Sequence, residues 1–310
     1  MPNPALRLFR PIAIAVLAIV AAPAYAATQR TFVASTGSDA NPCSIVAPCR
    51  SFAAAIGQTV AGGEVIVQDS GGYGPVAITQ SVSLIAPPGV YAGVSVPTTG
   101  ITIAGAGIRV SLRGLTINST GGGTGIEFQQ GAELHLERIQ VSGFASQGIN
   151  ATADGSTTTI DDATIEDNAV GIRIGAATTV ARGYLNRVRL NNSSGDGILA
   201  TGRSIVNVRD SIATRNFNGM HANTAGSPAG SAAEINVENC LISYNANAGV
   251  RALNSTGSTA ALIRVTGSTI TNNTNNAIAS FNTATITSRG DNTVIGNSSG
   301  EAFDGNFLPQ

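Results

Sequence analysis

The stretch TTIDDATIEDNAVGIRI (Thr158–Ile174) contains the unit from which most of the sequence is built. Its apolar residues alternate with polar residues over short runs and then the alternation breaks, which is typical of β-strands rather than helices. Only Asp161 and Asp162 separate the first run from the second, and two residues allow a bend but not a hairpin. The unit therefore predicts three short strands joined by bends.

Segments of the same pattern occur seven times along the chain. They begin at Val110, Leu134, Thr158, Gly183, Val206, Ile235 and Ile263, so that successive starts are 24, 24, 25, 23, 29 and 28 residues apart. In each repeat this segment is followed by a second recurring motif, such as GIEF at Gly125 or GIRI at Gly171, which we call the GI anchor. A period of about 24 residues with three strands predicts one coil of a parallel β-helix, in which each strand pairs with its equivalent about 4.8 Å away in the next coil.

Two sets of residues at equivalent positions in successive coils, here called columns, support the stacking of these coils. One column is predicted to point inward and makes Cys240 a packed core thiol; it contains Leu115, Ile139, Ala163, Val188, Ser211, Cys240 and Ser268. The other is predicted to form a ladder of side-chain hydrogen bonds along the helix axis; it contains Asn168, Asn216, Asn245, Asn273 and Asn297.

With these coils the chain resembles the right-handed parallel β-helix proteins of the pectate-lyase-like superfamily. The repeats with N…GI carry the resemblance across Ile101–Phe303, and TFVASTGSDANPCSIVAPCRSFAAAI (Thr31–Ile56) is similar to the start of such proteins. The resemblance implies an all-β, right-handed solenoid with a short N-terminal capping helix, expected around Ser51–Ala61, which covers the open end of the stack. Because the superfamily includes many activities, the resemblance constrains function only weakly.

The first 26 residues have the organisation of a secretory signal peptide. Arg7 and Arg10 precede the apolar run Pro11–Ala22, which is short for a membrane span, and AYA before Ala27 is a small-x-small cleavage site. We therefore expect cleavage after Ala26 and a secreted protein, extracellular or periplasmic. The remainder is expected to be a single domain with a strand and cap at residues 27–62, coils at 63–304 and a tail at 305–310.

The composition of the exported chain excludes some classes of partner. The sequence has no Lys, and beyond residue 26 its 15 Arg stand against 18 acidic residues, a net charge of about −3. This balance argues against nucleic acid as a partner. No run after the signal is apolar enough to insert into a membrane.

Cys43 and Cys49 lie close together near the N-terminus of the exported chain. In an oxidising compartment we expect them to form a disulfide across the intervening loop, and two free thiols are the alternative.

Asp161, Asp162, Glu166 and Asp167 place four carboxylates within seven residues, as a metal site would require. The column that contains Asp162 offers a different explanation, because its charges alternate from coil to coil through Arg138, Asp162, Arg187 and Asp210. We interpret this column as an external salt-bridge ladder that favours the correct stacking register. No metal or other cofactor is expected, and calcium bound by converging carboxylates is the alternative.

The catalytic patterns of related enzymes are mostly missing. A polygalacturonase-like site would need N-T-D, D-D, G-H-G and R-x-K, of which the chain has only D-D, and R-x-K is impossible without Lys. The D-P-H of alginate-epimerase-like β-helices is also absent. Lyases that use Arg as the base remain compatible with the residues present.

The row that follows the GI anchors offers the best candidate ligand site. Arg173, His221 and Arg251 lie in this row beside the longest predicted loops, Asn223–Ala233 and Leu253–Ala261, and could bind an acidic sugar. Solvated outward residues without a ligand are the alternative. We therefore favour a non-catalytic extracellular or surface module that binds polysaccharide or protein. A lyase or hydrolase acting on acidic sugars is the second hypothesis, and a subunit of a larger assembly is the third.

Overall fold

Three strands and three bends form each coil in the computed structural model, which describes residues 27–255 and 259–308. The predicted signal peptide and its cleavage site lie outside the described residues. No helix in the described part of the chain is long and apolar enough to cross a membrane.

The elements follow one another in a repeating order. The first part of the chain contains β1 (Thr28–Val33), α1 (Phe52–Gly57), β2 (Thr59–Val67), β3 (Gly71–Gly72), β4 (Val76–Ile78), β5 (Val82–Ile85), β6 (Ala92–Val96) and β7 (Ile101–Ala104). The central part contains β8 (Arg109–Arg113), β9 (Leu115–Ser119), β10 (Ile126–Gln130), β11 (Glu133–Glu137), β12 (Gln140–Ser142), β13 (Gln147–Ala151), β14 (Thr157–Asp161), β15 (Thr164–Glu166), β16 (Val170–Asn186), β17 (Arg189–Asn191) and β18 (Asp196–Arg209). The last part contains β19 (Ile212–Thr214), β20 (Asn218–Asn223), β21 (Ala232–Glu238), β22 (Leu241–Ser243), β23 (Ala248–Leu253), β24 (Ala260–Thr266), β25 (Thr269–Thr271), β26 (Asn276–Phe281), β27 (Thr285–Ser288), β28 (Thr293–Ile295) and β29 (Gly305–Asn306).

Each coil contributes its strands to equivalent positions, and all pairings between neighbouring coils are parallel, as in β11 with β14 and β12 with β15. The second strands of the coils form a ten-stranded sheet from β3 to β28. The first and third strands share a 19-stranded sheet, because β16 and β18 each run from the third position of one coil into the first position of the next. The predicted parallel β-helix is confirmed.

The interior is filled by the apolar residues of the alternating pattern. Val110, Leu112, Leu115 and Ile117 of one coil are at most 2% exposed, and the equivalent positions of later coils are buried in the same way. The predicted inward column is buried throughout, with Cys240 at 4% exposure. Because each coil covers the apolar edge of its neighbour, burial depends on stacking rather than on any single coil.

The asparagine ladder forms as predicted over the last coils. The side-chain oxygen of each ladder residue accepts a hydrogen bond from the backbone N–H of the previous rung, for example Asn216 N to Asn245 Oδ1 at 3.0 Å and Asn245 N to Asn273 Oδ1 at 3.0 Å. One rung differs, because Ser193 occupies the position between Asn168 and Asn216 and donates its backbone N–H to Asn216 Oδ1.

The N-terminal helix is shorter than predicted. Ser51 caps α1 by accepting a hydrogen bond from the backbone N–H of Ala54, and the helix ends at Gly57 rather than near residue 61. Thr59 already belongs to β2, where its hydroxyl lies 2.8 Å from that of Thr31 in β1. Because Thr59 pairs with β1 as part of β2, it cannot continue the helix.

The C-terminal boundary also differs from the prediction. β29 lies in the segment expected to be a tail, but it pairs with β27 through Thr287 and Ser288. The backbone N–H of Phe307 then donates to Ser288 O at 2.9 Å, so the segment extends the first-strand column.

The structure joins Cys43 to Cys49 in a disulfide, and Cys240 is a buried free thiol. Burial raises the pKa of the Cys240 thiol to about 11. At pH 8 only about one thousandth of such a thiol is in the reactive thiolate form.

We therefore expect the folded, exported chain to resist alkylation by iodoacetamide at pH 8. The same chain unfolded in guanidinium without reductant should take up one label, and after reduction it should take up three, one for each Cys. Mass spectrometry of the intact protein measures the uptake. Three labels without reductant would show that Cys43 and Cys49 are not paired, and rapid labelling of the folded chain would show that Cys240 is accessible.

Candidate functional site

The three candidate ligand residues lie in one register on the outer face of the third strands. This third-strand row contains Glu127, Asn150, Arg173, Leu199, His221, Arg251 and Ala279. His221 and Arg251 stand in adjacent coils, whereas Leu199 separates Arg173 from His221. At about 4.8 Å per coil, Arg173 and His221 are roughly 10 Å apart along the helix axis.

His221 is held in a buried polar cluster rather than presented to solvent. Its Nδ1 lies 3.1 Å from Asp196 Oδ2, and Asn218 Nδ2 donates to Asp196 Oδ1 at 2.7 Å. The Asp196 carboxylate therefore fixes the position of the imidazole ring through Nδ1. The other nitrogen, Nε2, is buried and has no hydrogen-bond partner among the described residues.

Sequence reasoning alone does not select Asp196, although it completes this cluster. The residue stands one position before the GILA anchor, where the neighbouring coils have Val170 and Asn218. The one sequence feature that could have indicated Asp196 was an acidic residue at this position in a single coil. The sequence does not show that its carboxylate would lie against His221, because this depends on the alignment of two different columns.

Arg173 is the candidate residue that faces open space. It lines a hollow of about 430 Å³ together with Thr152, Thr201, Asn223 and the loop at residues 225–228, and it is the only charged residue among the described residues of the lining. The predicted long loop thus forms one wall of the hollow. Burial raises the pKa of the Glu127 carboxyl in the same row, while the Asn150 hydrogen bond and the Arg173 charge oppose that rise.

Arg251 packs against an aromatic ring in the next coil. The carbon at the centre of its guanidinium group lies 5.2 Å from the centroid of the Phe281 ring, which is within the range of a cation–π contact. Among the described residues neither Arg251 nor Arg173 forms a salt bridge, and the Nε atom of each is buried without a hydrogen-bond partner. Both arginines therefore retain hydrogen-bond donors that the protein itself does not use.

The cluster of four acids is divided among separate partners. Asp162 accepts two hydrogen bonds from the Arg187 guanidinium, at 2.5 and 2.9 Å, and these lower the pKa of its carboxyl. The other three bond to three different side chains: Asp161 to Asn186, Glu166 to Gln140 and Asp167 to Asn192. Within residues 27–255 and 259–308 no group of three or more His, Cys, Asp or Glu side chains could hold a metal ion.

The predicted charge ladder forms only in part. Arg187 pairs with Asp162, but Arg138 turns to Glu137 Oε1 at 3.4 Å, and Asp210 bonds to an amide, that of Asn239. The alternation of charges along the column therefore does not determine which partner each charged side chain bonds to.

A larger hollow, of about 690 Å³, lies on the face of the first strands. We call it the first-strand groove, and its floor is the register row of Thr159, Tyr184, Asn207, Asn236 and Arg264. In the sequence this row is merely polar and mixed, and nothing in it marks a groove. Its depth depends on the bends at one side and on Phe307, which the C-terminal segment places in the lining.

Comparison with known proteins agrees with this architecture. The family model described as a right handed beta helix region matches residues 94–232. The structure of an alginate lyase from Paenibacillus sp. str. FPU-7 is 11% identical, covers 89% of this chain and 97% of its own, and has a TM-score of 0.56. Full-length tailspike protein 2 from Escherichia coli O157:H7 bacteriophage CAB120 is 13% identical, with a TM-score of 0.53.

The tailspike match covers 81% of this chain, which spans 40% of the tailspike's length. A search of curated protein sequences found no match. The chain therefore folds as a right-handed parallel β-helix, which is the fold that the resemblance to the pectate-lyase-like superfamily implies.

Proposed function

We propose that this protein is an exported, non-catalytic β-helix module that binds an acidic polysaccharide along the third-strand row. The observation that carries the proposal is Arg173, a half-buried arginine without an acidic partner at the edge of a hollow walled by a long loop. A guanidinium with free donors suits a sugar carboxylate, because it can bind both carboxylate oxygens at once.

The arrangement of the row supports a polymer rather than a small ligand. Arg173 and Arg251 are three coils apart, about 14 Å along the helix axis. A single sugar cannot reach both, whereas a chain of uronic acid residues lying along the axis can contact both. An alginate lyase with the same fold is in keeping with a ligand of this class.

The state of His221 favours binding over catalysis. Acid–base chemistry needs a group within hydrogen-bond reach of the substrate, and Nε2 of His221 is buried. The pairing of His221 with Asp196 is nevertheless the observation that favours a second candidate, a lyase or hydrolase acting on acidic sugars. In that case Nε2 of His221 would have to become accessible to the substrate.

Export is part of the proposal. The signal-like sequence at residues 1–26 supports it, and so does the disulfide between Cys43 and Cys49, because such bonds persist in oxidising compartments.

We expect Arg173→Ala to weaken binding to alginate or pectate by about tenfold or more, because a charge-assisted bidentate contact is lost. Affinity electrophoresis in native gels that contain the polysaccharide measures the loss. Arg182→Ala is the matched control, since it removes the same charge from an exposed arginine in the first-strand column. The control should bind like the wild type.

Equal weakening by both substitutions would show that binding depends on net charge alone and would contradict the proposed site. The same polysaccharides incubated with the wild type separate the two functions. Release of unsaturated or reducing ends, lost in Arg173→Ala, would support the enzyme instead.

A further inference from the structure

The first-strand groove is a continuous surface over five coils that the proposed function does not use. Thr159, Tyr184, Asn207, Asn236 and Arg264 follow one another in register along its floor. Because the pairing is parallel and unbroken, these side chains repeat about every 4.8 Å along the axis. Such a floor matches a linear polymer lying along the helix better than the irregular surface of a folded protein.

The floor combines an aromatic platform with amide groups. Tyr184 is 45% exposed, whereas Gly183 and Leu185 on either side of it are buried. In the next coils Asn236 Nδ2 donates to Asn207 Oδ1 at 3.2 Å and to Glu234 Oε1 at 2.8 Å. Asn207 Nδ2 has no partner in the described part of the chain and can donate outward. An exposed ring beside an amide donor without a protein partner suits a sugar, which presents an apolar C–H face and hydroxyl groups.

The arginines around the groove are paired with acidic residues of the protein. Arg264 Nη1 lies 2.5 Å from Glu234 Oε1, Arg209 pairs with Glu238 at 2.9 Å, and Arg187 pairs with Asp162. The lining also contains Asp161 and Asp210, which bond to amide groups rather than to cations. The groove therefore offers no free cation to a carboxylate, in contrast to the third-strand row.

We propose that the first-strand groove binds a neutral glycan chain, stacked on Tyr184 and hydrogen-bonded to Asn207, at a site separate from the one for acidic polysaccharide. The glycan would lie along the floor between Thr159 and Arg264, and Phe307 of the C-terminal segment also lines the groove. The solenoid would then bind two chemically different polymers on two faces.

A printed array of neutral and acidic oligosaccharides, probed with the fluorescently labelled exported chain, tests the proposal. We expect the wild type to bind neutral glycans, and Tyr184→Ala to weaken that binding about tenfold because the stacking surface is lost. Tyr184→Phe keeps the ring and should bind within about threefold of the wild type. Tyr244→Ala is the control, since Tyr244 is 60% exposed on a different edge of the solenoid.

The two sites can be separated on the same array. Arg173→Ala should leave neutral binding unchanged, even if the proposed acidic site proves wrong. Far-ultraviolet circular dichroism shows whether each variant is folded. A wild type that binds no neutral glycan, or a folded Tyr184→Ala that binds neutral glycans as tightly as the wild type, would overturn the proposal. Loss of neutral binding in Tyr244→Ala but not in Tyr184→Ala would place the site elsewhere and would also overturn it.

Discussion

Replacing Asn245 by Ala should lower the free energy of unfolding by about 3 kcal/mol. Asn245 is fully buried in the middle of the asparagine ladder. Its side-chain oxygen accepts from the backbone N–H and from Nδ2 of Asn216, and its Nδ2 donates to Asn273 Oδ1 and to Ala213 O. Alanine would remove all four bonds, and the buried backbone N–H of Asn216 would lose its acceptor.

The backbone contact is the more costly loss. An unpaired buried N–H costs about 1–3 kcal/mol, whereas an exposed one is satisfied by water. The ladder bonds therefore matter more than their number suggests, because each satisfies a buried turn N–H for which the neighbouring coil offers no backbone acceptor.

Asn275→Ala is the matched control, because Asn275 lies in the equivalent turn of the next coil but is exposed and makes one side-chain bond of 3.2 Å, to Asn247. We expect it to change stability by no more than about 0.5 kcal/mol. Urea denaturation followed by circular dichroism gives both values. Similar midpoints for the wild type and Asn245→Ala would mean that the ladder follows from stacking and does not stabilise it.

The sequence predicted these columns well because each is repeated. A single alternation such as ATI could belong to many folds, but seven copies at near-constant spacing leave few other solutions. Stacking then fixes which residues face each other, so the burial of Cys240 and the pairing of Asn245 with Asn273 follow from the alignment alone.

The ends of the solenoid were harder to predict because nothing repeats there. Thr59 reads as part of the capping helix, yet its hydroxyl lies against that of Thr31 and its backbone pairs with β1. In the same way Gly305 and Asn306 read as a tail and form a strand. In both cases an unpaired strand edge takes the nearest extended segment, and a local pattern cannot show this.

For the candidate site, the sequence predicted only that its residues lie in one row. The register of Arg173, His221 and Arg251 follows from the anchors, but whether each side chain is available depends on neighbours outside the row. Asp196 buries His221, and Phe281 covers Arg251. The first-strand groove shows a similar limit, since its lining combines the floor row with bend residues and with Phe307 of the C-terminal segment, which do not belong to one column of the sequence.

Gly219→Ala should destabilise the protein by about 3 kcal/mol or prevent folding, although alanine is otherwise well tolerated. The glycines of the GI anchors stack directly over one another. A Cβ at position 219 would lie 2.5 Å from Gly249 O and 2.7 Å from the Ile242 side chain. The first of these atoms is backbone in a paired strand, so it cannot move without separating two coils.

Glycine is usually required because of a positive φ, but at position 219 it is required because of this steric clash. Gly219 is not among the residues with a positive φ, so its backbone conformation is open to any residue. The requirement arises from the close approach of neighbouring coils, which also brings the same Cβ to 3.0 Å from Asn245 Nδ2. Overpacking here would therefore disturb the sheet and the ladder together.

Gly57→Ala provides the control, because a Cβ at the end of α1 would have no atom within 4 Å. It should be neutral or stabilise by up to about 1 kcal/mol, since alanine restricts the unfolded chain. Denaturation midpoints of the two variants measure the difference. If Gly219→Ala unfolds at the same urea concentration as Gly57→Ala, the coils can separate at little cost, and the close stacking on which the buried columns depend is not what stabilises this solenoid.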